Sequence, residues 1–370
     1  MGHKTIVSPR QLLWGVILCL VCSSLISPAA GAARLPAWGR ILAAAASAAL
    51  VWLLLLPFMA VSGRERFVAM LAGYGRGGKV CLVLFSLCFA LAAGRGLERT
   101  ETFYRYVSPD TLPLAVFVAL LLAICLYAAR CGLETLLRAG LALLVLTAAS
   151  LALVLAGNAG QMRLENLQLP RQPLQLAWES LAAGFSVAPE LLLLGIFSHS
   201  ASGSRPVSLL GRALTAAVAV DLVLACAVEL ALGQFGALQV QPLHTLARIG
   251  SLSVFRRLDA VHVSVWLLAA VFRTALLCTG LGETLRPLLP EKLRQLSVWL
   301  AAAPVLGGAA AGYFLPEWLL TAVQTALVLA AAFAPVCFCK GGKDDGKKRA
   351  AAGGSSGPGR AHRLRGPGAG

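Results

Sequence analysis

Ten apolar runs, separated by short charged connections, constrain this chain more than any other feature. Each is long enough to cross a hydrocarbon core roughly 30 Å thick as an α-helix. They are expected at 11–33, 38–61, 80–97, 113–129, 133–157, 177–198, 206–231, 258–280, 297–314 and 318–338. Leu, Ala and Val run right around each expected helix instead of leaving the charged face a soluble helix would carry. The composition agrees, with 58% hydrophobic and only 13% charged residues. The expected fold class is therefore an all-α membrane protein with its transmembrane domain over residues 1–339. The rest, "KGGKDDGKKRAAAGGSSGPGRAHRLRGPGAG" from Lys340, is Gly-rich and basic without apolar periodicity. It reads as a disordered cytoplasmic tail over 340–370, able to touch anionic lipid heads.

Orientation follows from the basic residues. With both termini in the cytoplasm, 21 of the 32 Lys and Arg residues fall on the cytoplasmic side and 10 on the outer side, leaving Arg273 inside a span. The net charge of +16 is accounted for by this anchoring and the tail. No basic soluble fold is present to engage nucleic acid. Lys4 and Arg10 before an apolar run, with "SPAAGAA" after it, mimic a signal peptide. Retention as a first span is expected, because cleavage would leave an odd helix number against the charge count.

Ten spans divide into five and five, which invites an inverted repeat of the secondary-transporter kind. The first span of each half carries helix breakers at similar places. Span one reads "LVCSSLISPAAGAA", with Pro28 and Gly31, and span six reads "LAAGFSVAPELLLLGIF", with Gly184 and Pro189. Proline removes an N–H and clashes with the preceding turn, and glycine adds backbone freedom. Backbone groups freed in this way survive in hydrocarbon only where they line a cavity or meet a ligand. An exposed half-helix N-terminus would favour a carboxylate, which suits an amino acid. The alternative is that both breaks are ordinary packing or kinking features.

Ionisable groups inside spans cost about 2.5–3.5 kcal/mol each by insertion scales, so they face the bundle interior and find partners. Depth along the helices places Glu190 and Arg273 at a similar level and predicts that they pair. The same arithmetic makes Arg95 and Asp221 a second candidate pair. Glu134 and Arg138, four residues apart, read as a local ion pair. Glu229 lies near the outer surface and is expected to reach water. In span eight Asp259, His262, Trp266 and Arg273 fall near one stripe. That stripe either holds the bundle together or lines a ligand or ion path.

No catalytic constellation emerges, and no cofactor is called for. Phosphate-loop glycines and a Ser/His/Asp context are absent from the sequence, and five histidines are scattered. The ten cysteines lack metal-ligand spacing: Cys19 and Cys22 lie in an apolar run, and Cys337 and Cys339 close the last span. They read as small packing residues.

Four stretches carry a family resemblance: "VSPRQLLWGVILC", "CGLETLLRAG", "GFSVAPELLLL" and "FRRLDAVHVSVWLLAAVFRTALL". They resemble the spore germination permeases, the B subunits of endospore germinant receptors, over most of residues 6–338. That family is similar to the amino acid, polyamine and organocation transporters. The resemblance implies about ten transmembrane helices in a LeuT-like five-plus-five inverted repeat, with helices one and six broken. It further implies a spore inner membrane location beside an A subunit and a lipoprotein C subunit, and a role in sensing a small nutrient germinant such as an amino acid. The relatives' broken helices map a ligand site onto Ser27, Pro28, Ala29, Ala30 and Gly31, and onto Gly184, Phe185 and Ser186. The first break departs from the relatives' glycine-rich pattern by having Pro28 and a single glycine. Secondary transport of amino acids or related solutes, with Glu190 or Asp221 as a proton carrier, is the competing function.

Overall fold

A computed structural model describes residues 7–26, 37–62, 67–108, 113–167, 188–201, 205–251 and 258–352. Fourteen α-helices run through them in order. The first half holds α1 (Pro9–Ile26), α2 (Ala37–Ser62), α3 (Phe67–Gly73), α4 (Gly75–Val107), α5 (Leu114–Arg130) and α6 (Leu133–Asn158). The second holds α7 (Glu190–Phe197), α8 (Pro206–Leu232), α9 (Gln234–Leu238), α10 (Pro242–Ile249), α11 (Asp259–Leu285), α12 (Ser297–Leu300), α13 (Ala302–Phe314) and α14 (Glu317–Ala352). Seven helical segments are long and apolar enough to cross a membrane, and three shorter apolar ones cover Pro9–Ser23, Leu114–Arg130 and Glu190–Ser200. The chain is an integral, multi-pass membrane protein. Each expected span overlaps a described helix, while residues 27–33 of the first and 177–187 of the sixth lie outside the described residues.

Two boundaries differ from expectation. α4 extends to Val107, ten residues past the apolar run, because Arg99, Glu101 and Arg105 still find partners along it. α14 continues to Ala352, past the expected end of its span at residue 338. Once a helix is nucleated, each added residue gains a hydrogen bond, and the Lys, Arg and Ala of 347–352 are good helix formers.

Contacts between connections place helix ends on two opposite sides. On one side the Val7 amide donates to the Ser200 carbonyl at 3.0 Å, so the chain before α1 meets the chain after α7. On the other, the Ser251 amide donates to Gly157 and the Arg163 amide to Leu230, joining the ends of α6 and α8 to the approach to α11.

α4 and α11 lie at the centre. Their apolar windows are 78% and 67% buried, against 22–33% for the other long helices. α1 and α7 reach the same core; Phe272 of α11 fills the hollow left by Gly140 on α6, and Leu137 of α6 fills the one left by Gly15 on α1. α13 crosses α4 where Gly94 meets Gly308. A Cβ on Gly94 would lie 2.3 Å from the Ala309 nitrogen, so only glycine permits this approach. Without water to drive association, close backbone packing of small residues is what holds such a crossing. Phe58, Phe67, Phe85 and Phe89 form an aromatic wedge between α2, α3 and α4.

Candidate functional site

Three helices converge on one buried ion pair. Glu190 is the first residue of α7, directly after Pro189, whose ring restricts how the chain can enter the helix. Ser23 lies one turn before the end of α1. Arg273 occupies the middle of α11. Arg273 Nε donates to Glu190 Oε1 at 2.6 Å, and its Nη2 lies 2.6 Å from the same oxygen. Ser23 Oγ accepts from Arg273 Nε at 2.8 Å and donates to Glu190 Oε1 at 3.3 Å. The pair predicted from depth is thus present, and Ser23 ties both partners to α1.

The pair is removed from solvent, with side-chain exposures of 8% for Arg273 and 1% for Glu190. Solvent screening is correspondingly weak, so mutual attraction and hydrogen bonds must offset desolvation. Only Oε1 is used. Glu190 Oε2 is buried and has no hydrogen-bond partner among the described residues. Gly96 of α4 makes room for the guanidinium, since a Cβ there would lie 2.7 Å from Arg273 Nη1. Neither Ser23 nor Gly96 was singled out in the sequence. The only signal for Gly96 is its place beside an intramembrane arginine in "GRGLERTE".

The second expected pair does not form. Arg95 instead donates from Nη1 to Gln324 at 2.8 Å and from Nη2 to Thr321 at 3.3 Å, and its guanidinium pairs with Glu317. Glu317 also pairs with Arg99. The physical reason is azimuth: depth fixes height along a helix but not which neighbour it faces. α4 packs against α11, α13 and α14, whereas Asp221 is half-buried on α8, whose neighbours are α1 and α2. Further along α4, Glu101 accepts from the Tyr313 hydroxyl at 3.1 Å and pairs with Arg105.

In the α11 stripe His262, Trp266 and Arg273 are buried and Asp259 is half-buried, so the stripe faces the interior as expected. Trp266 lies against Phe103 of α4 with the rings tilted at 42° and centroids 3.9 Å apart, and His244 of α10 meets Phe103 in a T-shaped contact at 5.6 Å. α10 lies between two candidate spans, and burial lowers its His244 imidazole below the ordinary range. Asp259 opposes that shift and Arg248 adds to it. Glu134 and Arg138 pair at 2.5 Å on the surface of α6, as expected. Glu229 does not reach water; it is buried near the end of α8, where the Arg163 amide donates to the neighbouring Leu230 carbonyl. The expected ligand contacts Ser27, Pro28, Ala29, Ala30, Gly31, Gly184, Phe185 and Ser186 lie outside the described residues. Among the described residues no three or more His, Cys, Asp or Glu side chains gather as metal ligands.

A family model described as "spore germination protein" matches residues 6–306, taking in α1 to α12 and the start of α13, and with them Ser23, Gly96, Glu190 and Arg273. The chain belongs to the spore germination protein family. It is therefore of permease type, with a role related to germinants. No curated protein matches it. Among solved structures, it is similar to a manganese transporter of Eremococcus coleocola in complex with an aromatic bis-isothiourea substituted compound. That likeness has 15% identity over 90% of this chain and 78% of that one, with a TM-score of 0.43. A point mutant of the same transporter gives 16% identity, the same coverage and a TM-score of 0.42.

Proposed function

We propose that this protein is the membrane subunit of a spore germinant receptor, which binds a small nutrient, an amino acid, and thereby triggers germination. The observation that carries the reading is the family match from residue 6 to 306 together with a buried ion pair that links α1, α7 and α11. In this reading the bundle has ten crossings in a five-plus-five inverted repeat, with both termini cytoplasmic in the spore inner membrane. The ligand lies between the first and sixth crossings, at Ser27–Gly31 and at Gly184, Phe185 and Ser186. Ser23 and Glu190 flank those stretches in sequence, and their bonds to Arg273 tie the two crossings to α11.

Binding shifts the bundle between two states, and the difference in ligand affinity between them is what partner subunits read. Those partners are an A subunit and a lipoprotein C subunit. The test has two arms. Affinity purification of the tagged chain from spore membranes should bring down both partners, and liposomes holding the chain alone should accumulate no amino acid. Robust uptake by the isolated chain, with no partner recovered, would instead make it a secondary transporter.

A further inference from the structure

We propose that Glu190 Oε2 is a ligand contact, and that the neutral Glu190–Arg273 pair restricts the ligand to amino acids with no net charge, whose ammonium is the donor. This deepens the reading above and rests on it.

Glu190 is wholly buried, yet the guanidinium and Ser23 both use Oε1 and leave Oε2 without a partner among the described residues. An ionised carboxylate oxygen left unmade in a low-dielectric interior is costly, and a native bundle keeps such a group where something completes it. The missing partner must be a donor, because an ionised carboxylate only accepts. It must also bring no net charge. Glu190 and Arg273 already cancel, so a cation or an anion added here would be a buried ion without a counter-charge. A zwitterionic amino acid meets both conditions, with its ammonium on Oε2 as a charge-assisted hydrogen bond and its carboxylate balancing the ammonium. Location supports the assignment: Glu190 opens α7, Ser23 lies near the end of α1, and Gly96 keeps α4 clear of the guanidinium.

The experiment is ligand-induced thermal stabilisation of the purified full chain with the twenty common amino acids as probes. For the tightest neutral binder, its amide, a cation that keeps the amine, and its N-acetyl form, an anion that lacks it, are then titrated. Wild type should hold the zwitterion about 10-fold to 100-fold tighter than either derivative, the ratio expected for one charge-assisted bond. The amide, which keeps the donor for Oε2, should bind wild type better than the N-acetyl form; Glu190→Gln gives the site a net positive charge, so it should weaken the zwitterion and reverse that order in favour of the anion. A purely structural role for Glu190 would not reverse that order. Wild type alone already decides: equal binding of zwitterion and amide, or preference for a charged amino acid, overturns this inference and leaves the receptor reading intact. Stabilisation by none of the amino acids would overturn both.

Discussion

Replacing Arg273 by Ala removes both contacts to Glu190 Oε1 and leaves only the 3.3 Å bond from Ser23 on a carboxylate 1% exposed. Breaking a buried pair from one side costs about 3–5 kcal/mol, because the remaining charge stays buried without compensation. The exposures here, 8% and 1%, justify the buried range over the surface one. Glu190→Ala alone strands the guanidinium and should cost a similar amount. The double variant strands neither charge, so its loss should fall short of the summed single losses by roughly 2–3 kcal/mol, within the span of couplings seen for contacting residues. The assay is reversible unfolding of the purified chain in mixed micelles by added anionic detergent, followed by circular dichroism. Losses that add to within about 0.5 kcal/mol would refute the pairing, since that is how independent sites behave.

Further outcomes follow from the other contacts. Gly94→Ala should destabilise the chain by about 1–3 kcal/mol through overpacking, because the new Cβ meets Gly308 and Ala309 backbone atoms. An equal change at Gly307, where a Cβ meets nothing within 4 Å, should be nearly silent, and equal losses at the two positions would count against the crossing. Glu317→Gln should cost only about 1 kcal/mol by the same unfolding assay, because Glu317 is 44% exposed and Arg95 keeps Thr321 and Gln324. A loss as large as that for Glu190 would mean the Arg95–Arg99–Glu317 network is not screened.

Acid should loosen α10. His244 binds protons less readily in the fold than in the unfolded chain, so its share of stability is present above the ordinary imidazole range and lost as pH falls through about 6.5. Hydrogen exchange of α10 amides at about pH 7.5 and 5.5, corrected for intrinsic rates, should show falling protection that His244→Phe removes. Protection that does not change with pH would reject this role.

The apolar runs made the helices legible because a bilayer demands long, uniformly apolar segments, and Leu133–Asn158 or Pro206–Leu232 could hardly be read otherwise. Glu190 and Arg273 were legible as a pair because the cost of intramembrane charge limits candidates and depth then matches them. Arg95 was not, since its partner Glu317 sits at the start of a helix where charge is inexpensive and draws no notice. Facing direction comes from packing, here the Gly94–Gly308 crossing that brings α13 and α14 onto α4. Ser23 and Gly96 gave little signal because a serine or glycine in a membrane helix is usually a packing residue.

The most direct test of the receptor assignment is germination of spores lacking only this chain, challenged with a panel of single amino acids. The response to at least one neutral amino acid should be lost, the wild-type chain should restore it, and Glu190→Gln should not. Normal germination on every amino acid without the chain would contradict that assignment.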